Sequence, residues 1–420
     1  MTYDETLAYL IGLEAIRGWD LKLERMRDAL VRLGSPERRY PSVLIAGTNG
    51  KGSTAAFTHA ALSAEGLRVG LYTSPHLVHF TERIRIGAAE IDRAKVVAGV
   101  ERIRAAAPPE ESGLTFFEVT TLLALLRFAE EEVDVAVLEV GLGGRLDATN
   151  AVEPQVSAIV SIGRDHEDYL GTTLGEIARE KAGVMRRGRP VVVGSGIAGE
   201  ARAAIDAEAE RTGARIVESR PFETSVPEIA LAGMHMRGNA GVALAVLHEL
   251  GAAEPRLRAS EGAIRRGFAS ARWPGRLDVV RRSPLVVCDG AHNREAAAAL
   301  AASLPSLVGD APVRLIFGAL RDKPWREMAA ELRPLVGEVA LVPVQSPRSA
   351  TVEDLATAFS GVKTASYESA EAALATLLER DGATPIVVAG SLFLLGEIYA
   401  GLLRAQPEAS VFSAPWEGRI

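Results

Sequence analysis

The apolar run Val43-Leu44-Ile45-Ala46 passes directly into Gly47-Thr48-Asn49-Gly50-Lys51-Gly52-Ser53-Thr54, and then into the helix-compatible stretch Ala55 to Leu62. A buried strand, a glycine-rich turn and a helix start make up a layout that holds phosphate. The glycines let the backbone approach an anion, the helix start offers unpaired N–H groups, and Lys51 adds a point charge. ATP is therefore expected here. The loop is not a regular Walker A motif, which would need glycine at position 45 and serine or threonine at position 52, where this chain has Ile45 and Gly52. Similar turns also join strands to helices in α/β proteins that bind no nucleotide, so the motif needs support from elsewhere in the chain.

That support comes from the order of the remaining segments. Leu21 to Leu33 has a helical apolar period that ends at Gly34. Val69 to Tyr72, Val133 to Val140 and Val156 to Ile162 read as further strands, with a helix over Val119 to Phe128. Strands alternating with helices in this way predict an α/β fold built on a mainly parallel sheet covered on both faces. The second half repeats the style, with strand-like runs at 285–288, 313–317, 339–342 and 386–389 and a helix over Glu295 to Leu304. At 420 residues the chain exceeds what one core usually serves. The expected division is 1–273, a hinge at 274–280 beginning at the Pro274-Gly275 pair after Trp273, and 281–420.

Composition excludes several classes. The formal net charge of −7 supplies no general attraction for nucleic acid or anionic lipid, so anionic substrates must meet local cations. The single cysteine, Cys288, excludes an internal disulfide and reads as a small core residue. The acidic start Met1 to Glu5 lacks the features of a signal peptide, and no apolar run reaches the ~18 residues of a membrane span. A cytoplasmic protein without membrane or nucleic-acid partners is expected, working as a monomer on small molecules.

Ligands of open parallel sheets gather at the carboxyl ends of the strands. Ser74 follows the second strand, Glu139 sits in the third, and Asp165-His166 follows the fourth. A hydroxyl and a carboxylate suit Mg²⁺, which favours oxygen ligands; His166 fits less readily. A carboxylate within the apolar run 135–140 is costly to bury unless paired or metal-bound. Each residue also has a plainer reading: Ser74 as a turn residue before Pro75, His166 as a hydrogen-bonded histidine, Lys181 as a solvated helical lysine. The loop Gly141 to Asn150 could admit a flat or anionic substrate, or simply be a tight connection.

Taken together, the motifs resemble the folate branch of the Mur ligase family, the bacterial dihydrofolate synthase/folylpolyglutamate synthases. The matching stretches are GTNGKGS at 47–53, SPHL at 74–77, ERI at 82–84, TFFE at 115–118, LEVGLGGRLDATN at 138–150, DH at 165–166 and EKAG at 180–183. In the second half they are PGR at 274–276, DGAHN at 289–293 and GS at 390–391. The resemblance implies a two-domain Mur-ligase-like fold, a larger P-loop domain followed by a smaller Rossmann-like one. It also implies an ATP-dependent amide ligase adding L-glutamate to dihydropteroate or to reduced folates. By the same resemblance, Thr48, Asn49, Gly50, Lys51, Gly52 and Ser53 hold ATP together with Asn239, Arg276 and Asp289. Ser74 and Glu139 hold one Mg²⁺ and His166 a second, and Lys181 matches a lysine that the family carries as a carbamate. Asp20, Leu21 and Lys22, with Thr115, Phe116, Phe117 and Glu118 and with Leu146, Asp147 and Ala148, match the pterin site. L-Glutamate is expected near His292 and Ser391, delivered by closure about the hinge.

The chain departs from the family pattern at three positions. Lys22 replaces a glycine in the family's D-L-G-L, Met236 stands where glutamine is frequent, and Arg294 follows DGAHN in place of proline. Two rivals differ in what they require. A cell-wall Mur ligase needs a sugar-nucleotide domain before the loop, where only 46 residues stand. A nucleotide-binding regulatory protein that had lost its chemistry predicts decay of Glu139, His166 or Lys181, and all three are present. Within the family, activity on folates alone is the remaining alternative.

Overall fold

The structure is a computed structural model and describes residues 1–17, 22–223, 229–380, 382–404 and 409–412. It divides into two compact units, Met1–Ile229 with Arg237–Ala271, and Ala230–Met236 with Arg272–Ile420.

The first unit is built on eight strands: β1 (Ser42–Ala46), β2 (Val69–Tyr72), β3 (Ile84–Ile86), β4 (Ala89–Glu90), β5 (Val135–Glu139), β6 (Val156–Ile159), β7 (Pro190–Val193) and β8 (Arg215–Glu218). Their order across the sheet is β4-β3-β2-β5-β1-β6-β7-β8. The pairs across the order β2-β5-β1-β6-β7-β8 are parallel, and at one edge the short β3 pairs antiparallel with both β2 and β4. β1 lies between β5 and β6 with every residue buried, as expected for a strand covered on both faces, which reads as a continuous apolar run. The opposite edge strand β8 carries Arg215 and Glu218 at exposed ends, and such charges discourage further pairing. The core gathers Leu44, Tyr72, Leu122, Phe128 and Leu138. The helix Phe116–Glu130 starts ahead of its apolar period because Thr115 and Glu118 form a capping box. Chain beyond residue 237 returns to this unit, where Phe268 packs on Phe57 with ring centres 5.0 Å apart.

The second unit holds β9 (Asp278–Arg282), β10 (Leu285–Cys288), β11 (Val313–Phe317), β12 (Val336–Leu341), β13 (Lys363–Ser366) and β14 (Ile386–Ala389), ordered β13-β12-β11-β14-β10-β9. All pairs are parallel except β9 with β10. Its core includes Val287, Leu315, Phe317, Met328 and Val387. Residues 278–280 lie in β9, and Gly275 is bonded within this unit: its N–H donates to the Tyr399 hydroxyl at 2.9 Å and its carbonyl accepts from Gly290 at 2.8 Å. Among the described residues no helix is long and apolar enough to cross a membrane.

Candidate active site

Register places the functional loops of the first unit side by side. Ile45 of β1 faces Glu139 of β5, and Ala46 faces Ile159 of β6, so the glycine loop, Glu139 and the segment after β6 share one rim. The loop is braced from that segment. Thr48 N–H donates to the Ser161 carbonyl at 2.9 Å, the Thr48 hydroxyl exchanges bonds with Gly163, and Asn49 N–H donates to the Ser161 hydroxyl at 2.9 Å. Gly50 has φ +82° and begins the helix Lys51–Ala64. A Cβ on it would meet the Asn239 side-chain oxygen at 2.4 Å, so Asn239 seats directly on the loop and glycine is required there. Gly52 and Ser53 are buried in the first turn.

Lys51 Nζ folds back over the loop, donating to Gly47 and Thr48 carbonyls at 3.0 and 3.1 Å. Lys181, on the helix Leu174–Ala182, donates to the same Gly47 carbonyl at 3.1 Å and is only 4% exposed. Its solvated-helix reading is therefore wrong. Burial, with the Lys51 charge adding to it, pushes its amine down to about 7. The lysine reaches the loop because Gly144 presses on its backbone: a Cβ at 144 would lie 2.8 Å from the Lys181 carbonyl oxygen.

Glu139 is buried and accepts from the Ser74 N–H at 3.1 Å, which brings two of the expected metal ligands together. His166 has a left-handed backbone, φ +54°, at the start of the short helix Glu167–Leu170, and its ring lies near Asp165, which also acts electrostatically on Lys181. Among the described residues no group of three His, Cys, Asp or Glu side chains converges as a metal cage. Oxygen donors such as Ser74 and Glu139 instead fit an ion that keeps waters and phosphate oxygens in its shell.

The three segments expected at the pterin site behave differently from one another. Thr115 and Glu118 bond each other's backbone N–H groups, and Glu118 also accepts from Arg25 Nε at 2.7 and 2.8 Å, so their polar atoms serve the fold. The rings of Phe116 and Phe117 are half-buried. Asp147 is buried and accepts from Leu142 N–H and from Thr149, organising the loop that carries Leu146 and Ala148. Burial raises its carboxyl above the usual range. Lys22 is exposed ahead of the helix Leu23–Arg32, and Asp20 and Leu21 lie outside the described residues.

In the second unit, Asp289 follows β10 and accepts from Leu277 and Ala291 N–H groups, both at 2.9 Å, while Arg276 acts on it electrostatically. Gly390 N–H donates to the Ala291 carbonyl, which sets the loop of Ser391 beside that of His292. His292 Nδ1 is 2.8 Å from the Gly290 carbonyl, and Ser391 is buried, its hydroxyl accepting from Phe393 N–H. Sequence reasoning left out His235, whose partly buried ring carries an unpartnered Nδ1 and lies in the field of Asp289 and Arg276. It also gave no role to Arg83, inside the ERI match; an arginine beside a buried turn was the available signal.

Fold, loop and rim define a Mur-type, ATP-dependent acid–amine ligase. The Mur ligase middle domain model matches residues 45–193, and the Mur ligase glutamate ligase domain model matches residues 275–392. A dihydrofolate synthase/folylpolyglutamate synthase of Bacillus subtilis is 34% identical over 90% of this chain and 94% of its own length. A probable bifunctional folylpolyglutamate synthase/dihydropteroate synthase of Halobacterium salinarum is 37% identical over 98% of this chain, and the chain spans 53% of that protein. A bifunctional folylpolyglutamate synthase/dihydrofolate synthase solved with Mn, AMPPNP and L-glutamate matches with a TM-score of 0.84 at 36% identity, covering 94% of this chain and 98% of that one. The chain belongs to the dihydrofolate synthase/folylpolyglutamate synthase family, the folate branch of the Mur ligases.

Proposed function

We propose that this protein joins L-glutamate to the carboxylate of dihydropteroate or of a reduced folate, using ATP. The observation that carries the reading is the meeting of Lys51 and Lys181 on the Gly47 carbonyl, one strand away from Glu139. Hydroxide is a poor leaving group, so a carboxylate must be activated before an amine can displace it. A carboxylate oxygen attacks the γ-phosphorus of ATP, the bond to the β-phosphate bridge breaks, and ADP leaves an acyl phosphate. The glutamate nitrogen then attacks the acyl carbon, phosphate departs, and the amine's proton passes to solvent.

The chain's own part is positioning and charge. The glycine loop, with Thr48 to Ser53, cradles the phosphates, Lys51 offsets their charge, and Asn239, Arg276 and Asp289 hold the nucleotide. Ser74 and Glu139 would hold one Mg²⁺ and His166 a second, and such ions would neutralise the phosphates. The neutral amine of Lys181 would add to carbon dioxide and release a proton to solvent, giving a carbamate anion. Phe116, Phe117 and the Leu146–Ala148 loop receive the pterin, and His292 and Ser391 receive glutamate. The second reading, activity on folates alone, draws on Lys22, a bulky cation where the family carries glycine. ADP release that requires both acceptor and L-glutamate supports the ligase; release indifferent to them contradicts it.

A further inference from the structure

Arg83 is 7% exposed and closes the turn Phe80–Arg83 ahead of β3. Its carbonyl accepts from the Thr73 N–H at 3.0 Å, which pins it next to Ser74 and hence to the Glu139 rim. Its Nε donates to His76 Nδ1 at 2.7 Å, and its guanidinium carbon lies 5.2 Å from the centre of the Phe116 ring. Arg25, similarly enclosed, is ion-paired with Glu118. Arg83 has no such pair among the described residues.

Glu14, Glu82 and Glu139 act on Arg83 electrostatically, but none of them pairs with it among the described residues. Glu82 is turned towards the 77–79 backbone, accepting from Leu77, Val78 and His79 N–H groups at 2.7, 2.8 and 2.6 Å. Glu139 faces the Ser74 N–H. His76 receives the Nε bond on an unprotonated ring nitrogen, and an imidazole brings no negative charge to balance the guanidinium. A buried cation with no carboxylate in contact with it carries a desolvation cost that a directly bound anion lowers. The bond to His76 uses Nε, which leaves the terminal guanidinium nitrogens for a further partner. They can form the two-pronged bond that arginine makes with a carboxylate.

We propose that Arg83, held by His76 and by the Thr73 backbone, binds the carboxylate of the acceptor substrate. The inference rests on the ligase reading and adds a residue to it. Either the carboxylate of a pteroate or one on a glutamylated folate has the right chemistry, and assaying the two acceptors separately distinguishes them.

The test compares the unaltered protein with Arg83→Gln and Arg83→Lys. Steady-state KM values for acceptor, ATP and L-glutamate are measured, with equilibrium binding of the acceptor and of its carboxamide analogue. The expected result for Arg83→Gln is a rise of about 10- to 100-fold in acceptor KM, the scale of a lost charge-assisted bond, with KM for ATP unchanged. The unaltered protein prefers carboxylate over carboxamide by a similar factor, Arg83→Gln loses that preference, and Arg83→Lys keeps part of it. Equal weakening of both ligands, or an unchanged acceptor KM, overturns the proposal in favour of a purely structural arginine. If Arg83→Gln does not fold, the unaltered protein decides: carboxamide bound as tightly as carboxylate overturns the assignment. Absence of acceptor-dependent ADP release from the unaltered protein defeats the ligase reading instead, and the binding measurement still judges Arg83.

Discussion

Lys51 and Lys181 donate to one and the same carbonyl oxygen, that of Gly47, at 3.0 and 3.1 Å. Burial disfavours the Lys181 ammonium first, and the charge of Lys51 on the same acceptor adds to that. Lys181 falls from an ordinary 10.5 to about 7, while Lys51 keeps a second carbonyl, that of Thr48. A lysine that is half amine at neutral pH can react with carbon dioxide, which an ammonium cannot.

Lys181 is therefore predicted to give a carbamate signal in ¹³C NMR after addition of ¹³C-bicarbonate, growing as pH rises through about 7, where the folded chain releases the proton. Lys181→Ala removes the signal and lowers ligation by about 100-fold or more, the scale of losing a preorganised charge, with partial return on adding acetate or formate. Full activity in that variant contradicts a role for Lys181 in ligation.

Acid destabilises the chain through two buried imidazoles. Burial pushes His59 and His76 down to about 3, with the charges of Arg85 and Arg83 respectively adding to the effect. Below pH 6.5 the unfolded chain takes up protons that the folded one refuses. Stability is complete above 6.5 and falls as pH drops towards 3, by about 1.4 kcal/mol per pH unit for each histidine. His59→Leu, which replaces a ring whose Nε2 has no partner, flattens the acid limb in urea titrations at pH 4.5 to 8. An unchanged limb contradicts the assignment.

Much of this was legible in the sequence, for physical reasons. β1, β2, β5 and β10 are covered on both faces, so each is written as an unbroken apolar run. The hairpin β3–β4 and the edge strands β8 and β13 were not read, because exposed edges carry mixed polar residues without a period. At the site, the glycine loop and Glu139 stood out as local patterns. The environment of Lys181 did not, since its burial depends on Gly144, far from it in sequence. Thr115 and Glu118 read as ligand contacts in the motif, yet their atoms are spent on a helix cap and on Arg25, which no local pattern links to them.

Glu139→Gln keeps the shape of a buried side chain and its place beside the Ser74 N–H while removing the charge. The expected outcome is a folded protein with ligation lowered about 100- to 1000-fold and a raised Mg²⁺ requirement, checked by titrating Mg²⁺ in the ADP-release assay. Unaltered metal dependence places the ion elsewhere.

Tyr399 is buried, accepts the Gly275 N–H, and donates to Asp278. Tyr399→Phe removes both bonds, leaving the Asp278 carboxylate with the Gly275 N–H, and is predicted to cost about 1–3 kcal/mol in chemical denaturation. A neutral substitution shows that neither bond matters to the second unit.

The central claim is that ATP hydrolysis and amide formation are one process here. The most direct measurement is mass spectrometry of mixtures containing ATP, Mg²⁺ and isotopically labelled L-glutamate, with dihydropteroate and tetrahydrofolate supplied in parallel. The account predicts an acceptor heavier by one labelled glutamyl residue in at least one mixture, with one ADP released per amide formed. Nucleotide turnover without any glutamylated product, or no turnover in either mixture, contradicts it.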